Sequence, residues 1–254
     1  MKQNVSLRYY GARLFQHARA NGLRSSAALV GKNLIWPICQ WVVRRRIRAH
    51  ERFDEKYGLD TQTPIAARNL EGANPLAHFA HRYEGTPIPL IHKIFRRLGT
   101  DLRRFTFIDL GSGKGRVLLV ASQYPFKSVI GIEFSERLHN ISQANIARFA
   151  ELGLAKVHPN SIKMDATDFD FSPLGDKIIF CNNPFAASLM LRVIDNVEIS
   201  LACSKDDVIL IYLTPISPQL KLRLSKFKMI YEGNYISDFG GFQKYLIYQI
   251  IRKE

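Results

Sequence analysis

The sequence predicts an α/β fold: a mostly parallel seven-stranded sheet with an antiparallel last strand, helices on both faces and a helical extension at the N-terminus. Three observations predict it. From Thr106 onward, apolar runs rich in Val, Ile and Phe alternate with longer amphipathic stretches, the mark of strands alternating with helices. A glycine-dense segment, Gly111-Ser112-Gly113-Lys114-Gly115, stands where the first such run should pass into a helix. The last two apolar runs are joined by a short turn with no helix between them, which implies an antiparallel edge.

The elements follow in order. Residues 1–50 hold ten basic side chains and no acid; of the chain's 36 Lys and Arg and 22 Asp and Glu, the remaining 204 residues therefore keep 26 and 22. The net charge of +14 belongs mainly to this segment, which reads as a basic helical extension. Its most apolar stretch, Ala27 to Val43, is interrupted by Lys32, Asn33, Pro37 and Gln40 before it reaches the roughly 20 residues a bilayer-spanning helix needs. Arginines scattered through residues 1–26 oppose a secretory signal, and Trp36, Trp41 and Arg44-Arg45-Arg46 make the segment look retained rather than removed. Residues 51–104 read as a helical pre-core segment broken by Pro64, Pro75, Pro87 and Pro89, ending in an amphipathic helix over Ile91 to Arg104. Residues 105–254 form the core. Strands are predicted at Thr106–Leu110, Ser128–Glu133, Val157–Met164, Lys177–Cys181, Val208–Leu213, Phe227–Tyr235 and Phe242–Ile251. Helices follow the glycine turn to about Gln123, run from a Ser135 cap toward Glu151, span Ser188–Cys203, and lie near Leu220.

Composition narrows the class. With 46% apolar and 23% charged residues the chain is neither disordered nor fibrous, and at 254 residues it buries a large core without staples. Cys39, Cys181 and Cys203 are too far apart for paired ligand spacing or a disulfide framework, which suits a reducing, cytoplasmic setting. His78 and His81 lack a third ligand, so no metal site is expected, and no Ser-His-Asp or Cys-His arrangement is recognisable.

The chemistry centres on Asp109-Leu110-Gly111-Ser112-Gly113-Lys114-Gly115-Arg116. Glycines let the backbone turn tightly and a ligand approach the main chain, and the helix start offers unpaired N–H donors. A phosphate-cradling P-loop needs Ser or Thr after its Gly-Lys, but Gly115 follows Lys114. A dinucleotide fingerprint needs a small residue where Arg116 stands. Asp109 suits a cation and repels phosphate. Glu133, at the end of the second strand, is placed to accept hydrogen bonds from ribose hydroxyls.

With this D-x-G-x-G-x-G pattern, residues 105–252 resemble the class I S-adenosylmethionine-dependent methyltransferases, which implies a Rossmann-like sheet and S-adenosyl-L-methionine as cofactor. The resemblance implies a donor site built from Asp109, Gly111, Ser112, Gly113, Gly115 and Glu133. It adds Asp165-Ala166 at the end of the third strand, where the acid accepts a hydrogen bond from the adenine amino group. Phe134 is either a wall of the adenine pocket or a core side chain. Asn182-Asn183-Pro184-Phe185 resembles the N-P-P-F or D-P-P-Y element of enzymes that methylate nitrogens, and an N-P-F form of uncharacterised bacterial members. A side-chain amide oxygen there orients the acceptor N–H groups, and an aromatic ring stacks on the acceptor or shields it. Asn183 is favoured over Asn182 to face the methyl group because Pro184 and Phe185 follow it directly. Tyr83-Glu84-Gly85-Thr86-Pro87 resembles the pre-core element of several protein-lysine methyltransferases, which folds over the methionine end of the cofactor, and Asp60-Thr61 fits the uncharacterised bacterial group.

The expected activity is methyl transfer to a nitrogen acceptor, with a protein lysine side chain as the candidate and Asn183, Pro184, Phe185 and Tyr83 on the acceptor side. Thr86 and Asn182 join the donor side. Two alternatives stay open: a nucleic acid methyltransferase recruited by the basic N-terminus, and a non-catalytic cofactor-binding or peripheral membrane module whose basic segment meets anionic headgroups.

Overall fold

The computed structural model describes residues 41, 45, 52–65, 83–202, 204–213, 216–236 and 242–250. The basic extension therefore lies outside the described residues apart from Trp41 and Arg45, two helical positions at which the guanidinium sits 5.4 Å from the indole centroid. The Ala27–Val43 stretch other than Trp41, His78, His81 and the turn at Asp238–Gly241 also fall outside. Among the described residues, no helix is long and apolar enough to cross a membrane and no group of three His, Cys, Asp or Glu could hold a metal ion.

Seven strands form one sheet: β1 (Thr106–Leu110), β2 (Ser128–Glu133), β3 (Pro159–Lys163), β4 (Lys177–Asn182), β5 (Val208–Leu213), β6 (Lys228–Ile236) and β7 (Phe242–Ile250), in the order β3-β2-β1-β4-β5-β7-β6. Neighbours from β3 to β5 are parallel, and β7 runs antiparallel to both β5 and β6. This is the Rossmann-like, mostly parallel sheet that the sequence predicts. The antiparallel edge expected from the last two strands is the β6–β7 pair. β7 lies between β5 and β6, and β6 takes the outer position.

Among the described residues, 52–57 are helical, and the helices that follow are α1 (Ile88–Arg97), α2 (Arg116–Ala121), α3 (Glu136–Glu151), α4 (Ala187–Ala202) and α5 (Pro218–Leu224). Period-two alternation in the strands sorts them onto two faces. Phe107, Val129, Ile178, Phe180 and Ile211 face α1, α2 and α3. Ile108, Leu110, Ile132, Ile179 and Leu210 face α4 and α5. Ser135 caps α3, its hydroxyl accepting the Leu138 N–H, and Ser217 caps α5 in the same way. The amphipathic run expected to continue to Arg104 stops at Arg97, because Gly99 takes a left-handed φ of 61° and a short 3-10 turn at Leu102–Arg104 follows. Ahead of α1, a strap at residues 54–65, helical as far as residue 57, meets the chain again through an antiparallel bridge between Ile65 and Tyr83.

Candidate functional site at the carboxyl edge of the sheet

The parallel strands β1, β2 and β4 all end at one edge, and the crossover after β1 is the glycine loop. Gly111, Gly113 and Gly115 have φ of 70°, 57° and 82°, a region that side chains with a Cβ adopt only under strain. Gly115 is the N-cap of α2. The loop is fastened to β2 twice over: the Gly111 and Ser112 N–H groups donate to the Ile132 carbonyl at 2.9 and 3.0 Å, and the Gly113 N–H donates to Glu133 Oε2 at 2.8 Å. Glu133, only 3% exposed, accepts the Ser135 N–H on its other oxygen at 2.9 Å. It thus holds the loop and the start of α3 in fixed register.

Asp109 precedes this loop at 2% exposure, and its Oδ2 has no hydrogen-bond partner among the described residues. Burial, and secondarily the nearby Glu133 carboxylate, pushes its acid well above the ordinary carboxylate range. Asp109 does not cap the following helix. An orphaned acid beside a second buried carboxylate calls for a cationic group, which would reverse the Glu133 repulsion and fill the missing contact. A ligand with a positively charged end fits that requirement, and S-adenosyl-L-methionine, with an ammonium and a sulfonium, has two. Ser112, also buried, leaves its hydroxyl without a partner among the described residues.

Beyond the ends of β2 and β3, Phe134 is half-buried and Ala166 is buried. Phe134 belongs to none of the hydrophobic clusters formed by the described residues. Asp165 lies just beyond β3 and its Oδ1 accepts the Thr167 N–H at 2.9 Å, capping a 3-10 turn.

On the β4 side, Asn182 Nδ2 donates to Thr86 Oγ1 at 3.0 Å. Asn183 has φ 45°, the one positive φ outside glycine among the described residues, and its Oδ1 accepts a long bond of 3.4 Å from the Tyr212 hydroxyl. Pro184 packs on Gly111 so closely that a Cβ at 111 would land on the proline ring. Phe185 is half-buried against the α4 cluster. Tyr83 lies over Gly113 in the same intimate way, and its hydroxyl donates to the Thr61 carbonyl at 2.7 Å. Burial raises the phenol's pKa far above its ordinary value. Sequence reasoning gave Tyr83 an acceptor-side role; its geometry is that of a roof over the loop.

The structure therefore brings Asp109, Gly111, Ser112, Gly113, Gly115, Glu133, Pro184, Asn182, Thr86 and Tyr83 into one constellation. Sequence reasoning missed Lys114 and Arg116 except as grounds for excluding other loops, although both are buried. The available signal was Arg116 at the positive end of an apolar helix, where a cation is unfavourable unless something opposite holds it.

No protein-family model and no curated protein matches the chain. Among solved structures it is similar to an RNA methyltransferase from Salinibacter ruber in complex with S-adenosyl-L-homocysteine, at 17% identity, 66% of this chain, 94% of that one and a TM-score of 0.47. It is similar to a ribosomal protein L11 methylase from Lactobacillus delbrueckii subsp. bulgaricus, at 20% identity, 66% and 77% coverage and a TM-score of 0.45. A third is a magnesium protoporphyrin IX methyltransferase from Synechocystis PCC 6803 with bound S-adenosylmethionine, at 16% identity, 65% and 77% coverage and a TM-score of 0.46.

Proposed function

We propose that the chain is an S-adenosylmethionine-dependent methyltransferase that acts on a nitrogen acceptor, with a protein lysine side chain as the candidate. The observation that carries this reading is Asp109: a buried, partly unpartnered carboxylate pushed toward its neutral form by burial and by Glu133, at the head of a left-handed glycine loop. The cofactor supplies an activated methyl group on a sulfonium. Asp109 supplies the negative field for the cationic end, Glu133 holds the loop and presents carboxylate lone pairs toward ribose hydroxyls, and Phe134 offers an aromatic wall. Gly111 and Gly113 lack the Cβ for which Pro184 against one and Tyr83 against the other leave no room.

On the acceptor side the requirement is alignment and exclusion of water rather than a strong base. The amide of Asn182, tethered by Thr86, and that of Asn183, held in a strained backbone and touched by Tyr212, are the groups that orient an acceptor N–H. The engaged Asn183 oxygen favours Asn182 for that contact, reversing the preference drawn from sequence. The ten basic residues over 1–50 favour an anionic docking partner, and nucleic acid is the second reading for the acceptor.

Calorimetry with S-adenosylmethionine and S-adenosylhomocysteine tests the cofactor, with Asp109→Ala and Glu133→Ala as controls. Binding that both substitutions abolish supports the reading; no binding by the intact folded protein overturns it. Tritiated methyl donor added to a lysate of cells lacking the protein identifies the acceptor, and label in RNA or DNA instead of protein moves the second reading ahead.

A further inference from the structure

Two cationic side chains leave the glycine loop, Lys114 and Arg116, and both are buried, at 1% and 2% exposure. Each is taken up by the strap at 54–62. Lys114 Nζ lies 2.6 Å from Oδ1 of Asp60, a residue whose side chain is 51% exposed. Arg116 Nε donates to Thr61 Oγ1 at 2.9 Å, and its Nη2 stands 4.0 Å from Asp54 Oδ2 with no hydrogen-bond partner among the described residues. Asp54 gathers the strap into a tight turn, accepting the Thr61 N–H at 2.7 Å, the Thr61 hydroxyl at 2.6 Å and the Gln62 N–H at 2.8 Å. From α3, the Asn145 amide holds the strap backbone through the Asp60 N–H and carbonyl and also donates to the Lys114 carbonyl, each at 2.9 Å. Gly85 completes the fit, since a Cβ there would stand 2.6 Å from Arg116 Nη1.

Burying two cations is a costly way to attach a strap that apolar side chains could hold for less, so the arrangement specifies register more than stability. It also pairs both positive charges of the loop with the strap. The strap in turn carries the Thr61 carbonyl to Tyr83, and Tyr83 roofs Gly113.

We propose that Lys114 and Arg116 are positioning residues that latch the 54–62 strap to the donor loop through Asp60, Thr61 and Asp54, so that loop occupancy and strap closure are thermodynamically linked. The inference rests on the glycine loop being the S-adenosylmethionine site. A ligand that immobilises Gly111 to Gly115 immobilises the base of Lys114 directly and that of Arg116 through its neighbour Gly115. Reciprocity requires the strap to raise affinity by the same factor by which the ligand protects the strap.

The test uses the full chain with S-adenosylhomocysteine, reading calorimetric affinity and hydrogen exchange at the Thr61 and Gln62 amides in the same preparations. Saturating ligand is expected to slow strap exchange about tenfold. Asp60→Asn, whose half-exposed side chain allows the fold to persist, is expected to speed strap exchange without ligand and to weaken binding about tenfold, with Asp60→Glu restoring most of both. Arg116→Lys, which keeps the charge and loses the Nε bond to Thr61, serves as the second variant and should shift both readouts in the same direction. A merely stabilising latch would speed exchange throughout the sheet and leave affinity intact. Ligand that binds without protecting the strap, together with unaltered affinity in Asp60→Asn, overturns the linkage alone. Absence of binding by the folded wild-type protein overturns the donor-site reading and the linkage with it.

Discussion

Asn182 and Thr86, 96 residues apart, share a hydrogen bond from Nδ2 to Oγ1 at 3.0 Å, which joins the end of β4 to the segment that enters α1. The bond fixes the amide plane of Asn182 at the carboxyl edge, beside the loop that follows β1. Asn182→Ala is expected to lower kcat by about 10- to 100-fold with little change in S-adenosylhomocysteine affinity. Thr86→Val should give a smaller loss in the same direction. Steady-state kinetics with the identified acceptor, paired with calorimetry, checks both.

Asp109 predicts a pH signature. Its acid is raised by burial and by Glu133, so the folded apo protein holds a proton that the unfolded chain has released. The stability contributed is fully present below the ordinary carboxylate range and is lost as pH rises through the raised value. Unfolding midpoints of the apo protein should therefore fall across that window, and Asp109→Asn should flatten the fall. A cationic ligand favours the ionised form, so binding should strengthen with pH over the same window and release a proton. Calorimetry in buffers of different ionisation enthalpy measures that release, and pH-independent binding with no proton release would be the contrary outcome.

A Cβ at Gly111 meets Pro184, and one at Gly113 meets Tyr83, both at positive φ. Gly111→Ala and Gly113→Ala are each expected to cost about 2 kcal/mol of stability and to abolish cofactor binding. Denaturant unfolding and calorimetry separate the two effects.

Tyr83 donates its hydroxyl to a backbone carbonyl, and burial raises its pKa. Tyr83→Phe should cost about 1 kcal/mol of stability through the lost bond and change kcat less than about threefold. A thousandfold fall in kcat with the fold intact would instead make the phenol an acid or base.

Phe134 is half-buried and stands outside the hydrophobic clusters formed by the described residues. Phe134→Ala should therefore leave the melting temperature nearly unchanged and weaken S-adenosylhomocysteine about tenfold, as loss of an aromatic wall does. An equally large loss of stability would return the ring to the core.

Most of the fold could be read from the linear chain because it depends on local periodicity. β1, β2 and β5 occupy their predicted residues, and Ser135 caps α3 as expected, since alternation and capping involve neighbours within a few positions. The place of β7 could not be read in this way. Two adjacent strands signal a hairpin, but which of the pair lies against β5 depends on burial across the whole sheet.

The sequence by itself determined the glycine loop, the acids at the ends of β1 and β2 and the Asn-Asn-Pro-Phe turn, because each is a run of neighbouring residues whose type states its chemistry. Only the tertiary structure decided what those residues touch. Lys114 and Arg116 look like ordinary charges in one dimension, yet in three they are buried counterparts of a strap more than fifty residues upstream. Tyr83 becomes a roof and Asn182 a tethered amide for the same reason. A buried ionic or polar contact is set by which distant atoms are brought within about 3 Å once water is excluded, and no spacing along the chain encodes that distance.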